Sequence, residues 1–164
     1  MASLEWAALW LLLPAVPVAL WIAWSDLKYM KIPNKAVLVM LGVFLVFGLI
    51  ALPLDEYLWR LVNFLVILAI GFVLNALRLV GGGDAKYAAA IAPFFAASDL
   101  RGVMLLFAVM LLAAVLMHRI ARKLAFVRNL APDWESWKSG KAFPMGLALS
   151  GTLLFYLALH VAAP

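Results

Sequence analysis

Two aspartates stand where a membrane chain would keep an acid only for a reason. Asp26 lies in Ser25-Asp26-Leu27-Lys28-Tyr29 and Asp84 in Gly81-Gly82-Gly83-Asp84, each at the end of a long apolar run. An ionisable group at such a place is costly and reads as functional by default. Two carboxyl groups within hydrogen-bonding range cannot easily both ionise, so one pKa rises and the pair shares a proton. The ionised member can take a proton from water while the neutral member gives one to a peptide carbonyl. That is the chemistry of an aspartic protease, and it needs neither metal nor thiol. A site sunk slightly below the membrane surface suits it, because a low dielectric strengthens the coupling.

The neighbouring residues fit this plan. Gly81, Gly82 and Gly83 are expected to stop the third helix and let a partner chain approach closely. Asp84 would then open the fourth helix, where the positive end of the dipole favours an anion, whereas Asp26 closes the first, where it does not. On that argument Asp84 is the base and Asp26 the protonated acid. Pro33 and Asn34, in Ile32-Pro33-Asn34, would start the second helix, with Asn34 capping it or bonding near the acids. Lys86 would tune Asp84 or touch a substrate. Asn75, inside the third span, would form a helix–helix hydrogen bond. Each feature also has a plainer reading: a glycine turn before a helix cap, an interfacial acid beside lysines, orientation signals at Lys28 and Lys86. The constellation is more specific than any of its parts.

The elements that must position these residues follow from composition. Of 164 residues, 68% are hydrophobic and 13% charged, against about 45–50% and 25% in soluble domains. Mean hydropathy is +1.09. A soluble domain of this length could not hide so much apolar surface, so lipid is the solvent. The length suits a single transmembrane domain over residues 1–164. The fold class is all-α, a polytopic membrane protein of about six helices. The apolar runs cover about 6–24, 36–54, 58–80, 85–97, 103–117 and 145–162. A helix needs roughly 20 residues to cross, so the fourth and fifth runs are short. The start, Met1-Ala2-Ser3-Leu4-Glu5, has no basic region, which favours a retained membrane helix over a cleaved signal peptide.

Charge sets the orientation. Lys28, Lys31 and Lys35 fall in the first loop, Arg78 and Lys86 in the third. Arg119, Arg122, Lys123, Arg128, Lys138 and Lys141 fall in the fifth. These are eleven of the thirteen basic residues; only Arg60 and Arg101 belong to the second and fourth loops. The positive-inside rule places loops one, three and five in the cytoplasm and both termini outside. Asp26 and Asp84 then share the cytoplasmic side, in a count that used neither. From Asp84 to Ser98 is roughly 21 Å of helix, so either Asp84 lies below the cytoplasmic surface or the fourth loop dips inward.

The net charge of +5 belongs to residues flanking apolar runs, which suits anionic lipid rather than nucleic acid. Without cysteine, disulfides, thiolate nucleophiles and Cys zinc sites are excluded. His118 and His160 lie on separate segments and make a poor metal set, so no metal or other cofactor is expected. Pro14 and Pro17 should kink the first helix. Trp6, Trp10, Trp21 and Trp24 mark interface belts or packing. Pro132-Asp133-Trp134-Glu135 reads as a helix start with Asp133 as N-cap, and Trp134 and Trp137 place that piece on the membrane surface.

These residues resemble the type IV prepilin peptidases, which are Gly-x-Gly-Asp membrane aspartic proteases. The match rests on Asp26 followed by Ile32-Pro33-Asn34, on Gly81-Gly82-Gly83-Asp84 with Lys86, and more weakly on the closing segment Lys141-Ala142-Phe143-Pro144-Met145-Gly146. The resemblance implies that Asp26 and Asp84 are the catalytic acids. It implies cleavage of a prepilin-like precursor, with a short leader ahead of a hydrophobic helix, at the cytoplasmic face of the inner membrane. Larger members carry a cysteine-bearing zinc insert and also methylate the new N-terminus. This chain lacks both cysteine and insert, so it is similar to the small peptidase-only form of tight-adherence (Flp) pilus systems. Archaeal preflagellin peptidases share the paired acids and remain open as relatives. Two other readings stand beside the protease: a proton-coupled carrier, disfavoured because the acids cluster at one face, and a non-catalytic assembly subunit of a pilus or secretion system.

Overall fold

A helix in lipid satisfies its own backbone and needs only an apolar surface, and most of this chain folds accordingly. The structure is a computed structural model and describes residues 4–140 and 142–162; Lys141 of the closing segment and Met1–Ser3 lie outside the described residues. Helix α1 runs Leu4–Tyr29, continuous through Pro14 and Pro17. Helix α2, Asn34–Val43, passes through a π-helical turn, Phe44–Gly48, into α3, Leu49–Ala51. Helix α4 is Leu54–Ala76, α5 Gly82–Ile91 and α6 Leu100–Lys123. The short α7, Ala125–Leu130, and a 3-10 turn, Glu135–Trp137, precede α8, Met145–Ala162. The protein is an all-α polytopic membrane protein. Five helical stretches among the described residues are long and apolar enough to cross a membrane.

The expected fourth span is a different object. Helix α5 has 10 residues, about 15 Å of rise, followed by a 3-10 turn at Ala92–Phe94. It is held inside the bundle by α4, α2 and α8, with Ala85, Tyr87, Ala89, Ala90 and Ile91 all buried. Alanines allow this all-round packing. Gly71 of α4 lets α5 approach so closely that a β-carbon there would sit 3.0 Å from the Ala85 Cβ.

A helix that stops inside an apolar bundle leaves carbonyls without partners, which is tolerated only where protein groups supply donors. Here α4 supplies them. The buried Arg60 donates from Nη1 to the Phe94 carbonyl at 2.9 Å, and Asn63 Nδ2 donates to the Phe95 carbonyl at 3.4 Å. The Ala96 N–H donates to the Tyr156 hydroxyl of α8 at 3.1 Å. Glu56, one turn before Arg60, accepts from its guanidinium at 2.6 Å. Arg60 is therefore not a loop charge, as its place in the sequence implied, but the partner of a broken helix.

The core lies between α1 and α8, the most extensive contact in the molecule. Leu11, Ala15, Ala19 and Ile22 recur at helical spacing on α1 and are buried, as are Leu149, Leu153 and Leu157 on α8. Helices α4 and α6 stand outside this core with apolar faces open to lipid, including Leu65, Phe72, Leu105 and Leu112.

Three local expectations are corrected. Helix α4 ends at Ala76, well before the glycines, because the chain turns through Arg78 at φ 60°. The glycines open α5, with Gly81 as its N-cap and Gly82 its first residue. Asn75 does not bridge two helices; its Nδ2 donates to the Val80 carbonyl at 2.9 Å in the turn that follows α4. Asp133 caps no α-helix, since the segment forms only the 3-10 turn after Trp134. There Trp137 stacks on His118 of α6 at 5.3 Å, and Trp134 on Trp137 at 5.5 Å.

Candidate active site

The last turn of α1 carries Asp26, with its side chain inward and only 5% of the residue exposed. The Asp26 carbonyl accepts from the Met30 N–H at 2.9 Å, and Met30 then reverses the chain at φ 51°. One turn of extended chain leads to Pro33, which occupies the N-cap of α2 with no side-chain cap. Ser25 braces this turn by donating from Oγ to the Lys31 carbonyl at 2.9 Å. The sequence therefore folds residues 25–34 into a hook that places Ile32, Pro33 and Asn34 beside Asp26.

Helix α5 delivers the second acid from the other side. Asp84 is the third residue of α5 and its side chain folds back over the N-terminus, so that a β-carbon on Gly81 would lie 2.6 Å from Asp84 Oδ2. At Gly83 the hook and α5 meet; a β-carbon there would fall 3.3 Å from the Ile32 Cβ. Two of the three glycines are thus explained by close approach, of a carboxyl at Gly81 and of the hook at Gly83. Burial pushes the Asp84 carboxyl above the ordinary carboxylate range.

Asp26 and Asp84 line one cleft of about 690 Å³, together with Gly81, Gly82, Gly83, Pro33, Asn34, Trp21 and Trp24. The two carboxyls are near enough to interact electrostatically. Lys86 lies outside this lining and its Nζ donates to Asn34 Oδ1 at 3.3 Å. That bond ties α5 to the start of α2 across the cleft. It gives Asn34 the role of a partner to Lys86 rather than that of a helix cap. Lys28 sits 5.1 Å from the ring centres of both Trp24 and Tyr29, against the cleft wall.

Two further participants come from α8, far from the acids in sequence. The Gly146 N–H, in the first turn of α8, donates to Asp26 Oδ2 at 2.7 Å. One turn further on, Ser150 Oγ donates to the Ala19 carbonyl at 3.0 Å and is 2.9 Å from the Tyr87 hydroxyl. Ser150 therefore joins α8 to α1 and α5, the helices that bear the acids. The hydrogen bond of a backbone N–H leaves no mark on residue type; the glycine itself was visible in the closing segment, but its partner was not.

A water bound between these carboxyls would face one group able to accept its proton and one able to donate. Two carboxyls that share a proton would have the groups needed to activate water against an amide carbonyl. A family model described as the type IV leader peptidase family matches residues 11–118. That stretch includes both acids, the hook and the glycines, and stops short of α8. No curated protein and no solved structure matches the chain.

Proposed function

The chain belongs to the type IV leader peptidase family, and from that membership and the cleft we propose that it is an intramembrane aspartic endopeptidase with Asp26 and Asp84 as its catalytic acids. The observation that carries the reading is the convergence of two buried or half-buried carboxyls, from helices far apart in sequence, on one cleft. The substrate is a prepilin-like precursor, whose leader enters the cleft while its hydrophobic helix stays in lipid. The site faces the cytoplasmic side of the inner membrane, as the distribution of Lys and Arg implies.

In the first step the ionised carboxyl removes a proton from water as the oxygen attacks the scissile carbonyl carbon. The neutral carboxyl protonates the carbonyl oxygen, giving a neutral gem-diol. In the second step a proton passes to the amide nitrogen, the C–N bond breaks, and the gem-diol collapses to a carboxylic acid and a free amine. The pair ends with one proton, as it began. Gly81, Gly82 and Gly83, lacking side chains, leave room along the cleft for an extended backbone. Asn34, Pro33 and Lys86 form the rim that a leader would pass.

The test is to incubate the reconstituted protein with candidate prepilin-like precursors and read the new N-terminus by mass spectrometry. The proposal expects cleavage at one bond, between leader and hydrophobic helix. Intact precursors throughout, with proton flux that depends on Asp84 instead, would favour the carrier reading.

A further inference from the structure

Helix α8 lies beyond the stretch that the family model matches, yet it touches one of the acids directly. We propose that Gly146 is a positioning residue: its N–H holds Asp26 Oδ2, so that Oδ1 is the oxygen that exchanges protons with water and substrate. The inference rests on the reading of Asp26 and Asp84 as the reacting pair, and adds a third element to it.

Geometry supports this in three ways. The bond is short, 2.7 Å, and buried. The carbonyl oxygen of a neutral carboxyl is a better acceptor than its hydroxyl oxygen, so an N–H held on Oδ2 favours a proton on Oδ1. Position 146 accepts no side chain: a β-carbon would lie 2.9 Å from Asp26 Oδ2, 3.1 Å from its Cβ and 3.2 Å from its Cγ. The Asp26 backbone is fixed within α1, so the carboxyl would have to rotate away. Finally, the N–H is delivered by a braced helix. Ser150 donates to Ala19 on α1, which leaves the Tyr87 hydroxyl as donor to Ser150. Gly146 and Ser150 are one turn apart on α8, and Asp84 and Tyr87 one turn apart on α5. A single hydroxyl thus fixes α8 in register against both acid-bearing helices, the kind of support that holds a reacting group to within about 0.5 Å.

The experiment uses the full chain in liposomes. Gly146→Ala is expected to lower kcat for precursor cleavage about 100-fold, the cost of displacing a reacting group by roughly 1 Å, while KM stays within about twofold. Wild-type kcat in Gly146→Ala, or a loss carried wholly by KM, overturns the proposal. The unmodified protein offers a second measurement that does not depend on the variant folding. Met145-Gly146 is the sole Met-Gly pair in the chain, so carbonyl-labelled Met with ¹⁵N-Gly addresses this one amide. A direct dipolar coupling from that nitrogen to Asp26 Cγ is expected; its absence overturns the proposal. Full cleavage by Asp26→Asn and Asp84→Asn would instead defeat the acid-pair reading, so the two failures are distinguishable.

Discussion

At the scale of the residue, the site is a compromise between stability and chemistry. Asp84 is half-buried and its carboxyl holds its proton above the ordinary value of 3.8. A folded-state pKa above the unfolded one means that the folded state binds protons more tightly, so stability falls as pH rises from the unfolded value through the raised one. At neutral pH the buried carboxylate is therefore a cost. Asp84→Asn removes it, and the expected outcome is a higher midpoint of thermal unfolding in detergent at pH 7 together with lost cleavage. A lower midpoint would contradict the electrostatic account of the site. The same sign governs activity: as pH climbs through the raised pKa, the pair loses the proton it shares, and cleavage declines on the alkaline side. A pH–rate profile with no descending limb would argue against a shared proton.

The acids were legible because charge is conspicuous against an apolar background, and the hook because Ile32-Pro33-Asn34 combines a fixed φ with a helix start. Asn34 and Lys86 were visible as polar residues near the acids, but their mutual hydrogen bond was not, since pairing across 52 positions has no local signal. Gly146 was hidden more deeply, because its contribution comes from the main chain. The dipoles of α1 and α5 favour Asp84 as the base. Asp26 also faces the first turn of α8, whose N–H groups favour an anion as well, so helix ends alone do not divide the roles.

At the scale of the element, the short helix α5 is the feature on which the site depends. Its N-terminus brings Asp84 to the cleft that Asp26 also lines. The shortness of the fourth apolar run was plain in the sequence. The means of ending it were not, because Arg60 reads as a loop charge until its Phe94 partner is seen. Removing Arg60 leaves a buried carbonyl unsatisfied, at a cost of about 1–3 kcal/mol. Arg60→Leu should lower the unfolding midpoint accordingly and reduce cleavage by loosening α5. An unchanged midpoint would mean that another donor replaces it. Packing offers a second handle. Gly71→Leu would drive a side chain into Ala85, where even one carbon has 3.0 Å, and overpacking of this kind costs about 1–3 kcal/mol. Its expected effect is a kcat loss from displacement of Asp84, one residue before the contact.

At the scale of the whole molecule, two layers share the work. An inner group, α1, α2, α5 and α8, carries the cleft and most of the buried side chains; α4 and α6 form its lipid-facing flanks. The all-helical membrane class followed from composition alone, whereas the form of the fourth segment did not, since hydropathy marks an apolar run and cannot tell one long helix from a short helix continued by a 3-10 turn. Orientation is a claim about the whole chain and is open to direct test. The absence of cysteine makes single-cysteine labelling clean: Ser139→Cys should react with an impermeant maleimide only from the cytoplasmic side, and Ser98→Cys only from the outer side. The reverse pattern would place the cleft on the wrong face for a leader presented by the cytoplasm.

The most direct measurement compares four proteins in one liposome assay: the unaltered chain, Asp26→Asn, Asp84→Asn and the double variant, each shown to be folded and each given the same prepilin-like precursor. The account predicts that the unaltered chain releases the leader at a single bond, and that all three variants leave the precursor intact. Cleavage at that bond by the folded double variant would contradict it.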